Sequence, residues 1–109
     1  MNAHEKFKSD CAEEIESIGK SPIVNKLTND WIKSVNLLKY SYHFEWQGRP
    51  IIQYPQDVVA MQELIWSIKP DLIIETGIAH GGSLIFSASM LALLDMCDAI
   101  EAGEKIDPK

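Results

Sequence analysis

Between Asp71 and Phe86 the chain reads DLIIETGIAHGGSLIF, and this stretch holds the residues whose types and spacing could do chemistry. Glu75 ends an apolar run and stands two residues before the first of three glycines, Gly77, Gly81 and Gly82. A carboxylate there is costly unless it finds hydrogen-bond donors. Glycine has no Cβ, so a turn built from it can take positive φ and let a ligand approach the backbone closely. A helix opening at the end of the turn offers unsatisfied N–H groups and a positive dipole end, which suit a carboxylate or a phosphate. Ser83 follows the last glycine and His80 lies inside the turn. The same residues also suit a tight connection that only packs.

Two familiar loops fit poorly. A phosphate-binding P-loop has a lysine after its last glycine, and here that position is Ser83. A dinucleotide fingerprint needs glycine at 77, 79 and 82 with an acidic residue on a following strand. Position 79 is alanine, and no such strand can be assigned.

The elements around the turn follow from periodicity. Phe7, Cys11, Ile15 and Ile18 form one helical stripe over residues 5 to 18. Ser21 is an N-cap and Pro22 the first residue of a second helix, with Leu27, Trp31, Val35 and Leu38 as its stripe. Tyr40, Tyr42, Phe44 and Trp46 alternate, which predicts an extended segment with one apolar face, broken by Gly48, Pro50 and Pro55. From Gln56 to Ile68 the pattern is helical, with Asp57 suited to the positive helix end and Pro70 closing it. Leu72, Ile73 and Ile74 form a continuous apolar run, the pattern of a strand buried on both faces of a parallel sheet. A well-buried helix is expected from Ser83 to about Cys97, and DAIEAGEKIDPK reads as a polar loop. A strand of this kind needs parallel partners. No second one follows, so the sequence reads as the front part of a larger domain.

Composition excludes some functions. Sixteen acidic residues against ten basic ones, with no basic run, argue against an electrostatic nucleic-acid binder. Cys11 and Cys97 lie in no redox or zinc motif, and no metal-ligand set is read among these residues. The N-terminus has no apolar core of a signal peptide, and no apolar run approaches the ~20 residues of a membrane span. A cytoplasmic protein without a transmembrane segment is the expectation.

The pattern Glu75-x-Gly77-x-Ala79-x-Gly81 resembles the first motif of class I S-adenosylmethionine methyltransferases, E-x-G-x-G-x-G, with alanine at the middle glycine. The wider wording, WQGRPIIQYPQD and PQDVVAMQELIWSIKPDLIIETGIAHGGSLIFSASMLALL, resembles the cephalosporin hydroxylase and rhamnosyl O-methyltransferase family. The resemblance implies an α/β fold: the N-terminal part of a Rossmann-like methyltransferase domain starting at 46, after a helical and extended segment 1–45. It implies S-adenosylmethionine as cofactor, cradled by Glu75, Gly77, Ala79, Gly81, Gly82 and Ser83. The acceptor would be a hydroxyl of a small molecule, a sugar or a glycolipid.

Asp57 and His80 are candidates for the acceptor side, and His80 is also a weak candidate for the catalytic base. Trp46, Gly48 and Pro55 either border the pocket or pack over the sheet edge. Magnesium belongs to the full-length family, with its ligands beyond this stretch. A homo-oligomer is compatible with such a full-length form. Two other readings stay open: a small non-catalytic helical interaction module, and a nucleotide-cofactor-binding half-fold.

Overall fold

A computed structural model describes residues 1–103, which form two compact units, Met1–Leu38 and the chain from Lys39 onward. The boundary falls before the aromatic segment, earlier than the 45/46 division expected from the sequence. The reason is packing: the Tyr40 ring meets Phe44 edge-on at 5.1 Å, and Gln53 N–H donates to the Ser41 carbonyl.

The first unit is a pair of helices, α1 (Ala3–Gly19) and α2 (Pro22–Leu37). Asn2 caps α1 by accepting from the Glu5 N–H, while the Glu5 carboxylate accepts from the Asn2 N–H, a reciprocal capping box. Ser21 caps α2 with Pro22 in the first turn. Three i,i+4 pairs, Lys6–Asp10, Lys20–Glu16 and Lys26–Asp30, lie on the exposed faces. No residue of either helix is buried.

The second unit begins with a 3₁₀ turn, Tyr40–Tyr42, and a β-hairpin of β1 (Phe44–Trp46) and β2 (Arg49–Ile51). Gln47 and Gly48 both take positive φ, 48° and 79°, the two-residue loop that matches strand twist. Pro50 is therefore no break. The pair closing a two-residue loop, Trp46–Arg49, exchanges both hydrogen bonds, so the next pair, Glu45–Pro50, needs no N–H from proline. Helix α3 (Pro55–Ile68) and helix α4 (Gly82–Ala102) complete the unit. A small core joins them: Ile51, Ile65, Phe86 and Leu94, flanked by Phe44, Trp46, Val58, Ile73 and Met90.

Three expectations are corrected. Residues 71–76 pair with no strand among the described residues, whose only sheet is the antiparallel hairpin. Nor is this run buried on both faces: Ile73 and Glu75 turn inward, while Leu72 and Ile74 are 71% and 80% exposed. The alternation is that of an extended chain with one face covered. Helix α4 does not end near Cys97 but runs to Ala102, stopped by Gly103 at φ 69°. The rest of the supposed tail, 104–109, lies outside the described residues. Finally, α4 is long and apolar enough, by length and composition alone, to cross a membrane. Interleaved Gly, Ser and Ala hid this when only uninterrupted apolar runs were sought.

The seat of α4 is its first residue. A Cβ at Gly82 would lie 2.2 Å from the Pro50 carbonyl oxygen and 2.8 Å from the Ile51 Cα. These are backbone atoms and cannot swing away. Gly82→Ala should push α4 off β2 and cost about 1–3 kcal/mol, the range for overpacking. Urea unfolding of the two proteins measures it, and an unchanged midpoint would contradict the packing.

Candidate functional site

The turn between Ile74 and α4 is built on alternate left-handed residues. Gly77, Ala79 and Gly81 have φ of 88°, 44° and 83°. At Gly77 and Gly81 this costs little, because no Cβ meets the following carbonyl. At Ala79 it costs on the order of 1 kcal/mol. The Gly81 N–H donates to the Ile78 carbonyl at 2.6 Å, which closes the turn immediately before α4. No side chain caps α4, so its first N–H groups have no capping partner within the turn.

Glu75 is tied to the helix that follows. The Ser83 hydroxyl donates to Glu75 Oε1 at 2.5 Å, and the Ser87 hydroxyl reaches the same oxygen at 3.5 Å. Ser83 and Ser87 stand one turn apart on one face of α4, so the helix presents both to one carboxylate. The second oxygen, Oε2, is buried and has no hydrogen-bond partner. An orphaned buried carboxylate oxygen is a group waiting for a donor.

Beside Glu75 opens a largely apolar groove of about 650 Å³, lined by α3, the 72–75 run and the first turns of α4. Asp57, Glu75 and Ser83 border it together, with Val58, Met61 and Phe86 among the apolar walls. Gly77, Ala79, His80 and Gly81 form the turn itself and do not line the groove. Gly82 faces away, buried against β2, so its missing side chain is accounted for by packing. His80 is exposed. Trp46 stacks edge-on against Phe86 at 4.9 Å and donates its indole N–H to the Ser89 hydroxyl at 3.2 Å. It is a packed cover over α4. Gly48 serves the hairpin turn and Pro55 the first turn of α3. Among the described residues no three His, Cys, Asp or Glu side chains gather in a metal-binding group.

Two residues escaped sequence reasoning. Ser87 stands four residues after Ser83, a spacing that puts both hydroxyls on one helix face and was the usable signal. Arg49 lies across the turn: a Cβ on Gly81 would be 3.5 Å from its Nη1. Among the described residues it makes no ion pair. Only the hairpin brings it there, and the hairpin was missed.

A family model described as rhamnosyl O-methyltransferase/CmcI matches residues 38–106, which takes in the hairpin, α3, the glycine turn and α4. No curated protein and no solved structure was found to match the chain.

Two substitutions probe the turn. Ser83→Ala removes the nearer donor to Glu75 and should destabilise the fold by about 1.5–3 kcal/mol, the worth of a hydrogen bond to a charged group. Ala79→Gly relieves the left-handed alanine against a more flexible unfolded chain, for a net gain on the order of 0.5 kcal/mol. Chemical denaturation of both variants should move the midpoint in opposite directions.

Proposed function

Because the chain belongs to the rhamnosyl O-methyltransferase/CmcI family, we propose that it carries the cofactor loop of an S-adenosylmethionine-dependent O-methyltransferase acting on a hydroxyl of a small molecule, a sugar or a glycolipid. The observation that carries this reading is Glu75, fixed by Ser83 at the mouth of a turn with alternate left-handed residues, one oxygen buried and unpaired. The residues fit the cofactor. The unpaired Oε2 can accept from a donor on it, and the N–H groups of the turn and of the first turn of α4 can receive its carboxylate. Arg49, across the turn from Gly81, adds a positive charge on that side.

When bound, the cofactor supplies a methyl group on a positively charged sulfur, open to in-line attack by an oxygen nucleophile. The protein's part is alignment, because holding two reactants in line replaces a bimolecular encounter. Glu75 does this indirectly: bonded to Ser83, it fixes the turn against α4. Gly77 and Gly81 leave the backbone open to close approach. Asp57 sits on the same groove as Glu75 and Ser83 and would face an acceptor lying there. His80 is exposed and lies in the turn itself, which makes it the base to test first. Magnesium finds no set of carboxylates among the described residues, and no step is assigned to it.

The reading extends to the fold. Residues 71–75 have no ladder partner among the described residues, which supports further parallel strands at their backbone edges. The exposed Leu72 and Ile74 suit a layer over that face of a Rossmann-like sheet. The acceptor site and the ribose-binding acid would then lie on those strands, and this chain would hold the cofactor weakly and turn over little.

The test is a ¹⁵N-labelled titration of the 109-residue chain with S-adenosylhomocysteine. Shifts confined to residues 75–83, with saturation weaker than about 100 μM, are expected for a partial site. Absence of any shift in the turn at millimolar ligand would remove the cofactor assignment. Micromolar or tighter binding would show instead that the site needs no further strands.

A further inference from the structure

Unit one has no core of its own. Phe7, Ile15 and Ile18 on α1 and Ile23 and Leu27 on α2 are each between 57% and 68% exposed. They are not scattered. Phe7, Ile15 and Ile18 continue one stripe through Cys11, and Ile23 and Leu27 lie one turn apart on α2. The two helices are also oppositely charged. Within Ala3–Gly19, five carboxylates face two lysines, a net of −3; within Pro22–Leu37, two lysines face Asp30, a net of +1.

We infer that the Met1–Leu38 helical pair is a self-association surface, and that a second copy of this chain covers it in a two-fold, four-helix arrangement. An isologous contact needs a surface complementary to itself. Here the acidic α1 of one copy meets the basic α2 of the other, and the reverse contact is formed at the same time. Pairing α1 with α1 would set net negative helices side by side. The lengths match, 17 and 16 residues, so neither helix overhangs the other.

The area is sufficient. Roughly 100 Å² of apolar surface on each of five side chains gives on the order of 500 Å² per copy and 1,000 Å² for the pair, the threshold of a specific interface. Short loops and stripes of this width are the ordinary ingredients of such bundles.

Sedimentation equilibrium of the full 109-residue chain, from about 5 to about 200 μM, tests this. A monomer–dimer equilibrium is expected. Ile15→Glu and Leu27→Glu should each weaken it by about 100-fold or more, as loss of a central apolar anchor does. Both sites are exposed and glutamate is a good helix former, so far-UV circular dichroism should stay unchanged. Leu72→Glu, on the exposed run of the other unit, should leave the dimer intact. A monomer throughout the range overturns the inference, as would a stoichiometry other than two. So would association that survives both helix variants or is lost with Leu72→Glu alone.

Discussion

Gly82 sets the first turn of α4 directly on the backbone of β2, and this contact decides what every later turn of the helix presents. With about 100° between successive residues, Gly82, Phe86 and Ser89 share one face. Phe86 therefore lies under Trp46, and Ser89 receives both the indole N–H and the Gln47 amide. Ser83 and Ser87 share the neighbouring face, which points at Glu75. One close approach fixes both the core and the polar corner. A side chain at 82 would rotate or lift the helix, and Glu75 would lose its donors along with the hairpin losing its support.

The carboxylate in turn holds the chain that precedes it. Residues 71–75 have no ladder partner among the described residues, and backbone groups without partners make a poor anchor. Two side chains tie them down: Ile73 in the small core and Glu75 on α4. The outward pair, Leu72 and Ile74, contributes nothing to that attachment. The segment is thus half a strand, held by its inner face. Its stability and the geometry of the turn rise and fall together, since Gly77 follows Glu75 by two residues.

How much of this was legible in the sequence depends on range. The helices α1, α2 and α3 were readable because stripes, Ser21, Pro22 and Pro70 are local signals. The hairpin was not, because Pro50 reads as a breaker until its pairing position is known. Gln47-Gly48 was the cue, weaker than Asn-Gly. The end of α4 was misread because Asp98 and Glu101 suggest a solvated loop, while the stop signal, Gly103, comes later. Glu75 was recognised from cost alone: a carboxylate closing an apolar run must find donors. Which donors it finds depended on the register of α4, and so Ser87 stayed invisible. Gly82 looked like one more loop glycine, whereas its reason is a neighbour some thirty residues earlier in the chain.

The apolar excess of the second unit has a direction. Helix α4 is apolar around most of its circumference, yet its buried residues are only Gly82, Phe86, Ser87 and Leu94. The 72–75 run shows the same one-sided burial, and the groove lies between that run and α3. A lipid layer would cover α4, but it would also strip water from Asp95 and Asp98, at about 2.5–3.5 kcal/mol for each charge near the bilayer centre. It would offer Glu75 Oε2 no donor. A protein layer laid over the outward face of the 72–75 run would cover Leu72 and Ile74 and leave the carboxylates at the polar edge. The family match takes in every described residue of this unit, including the whole of that exposed face.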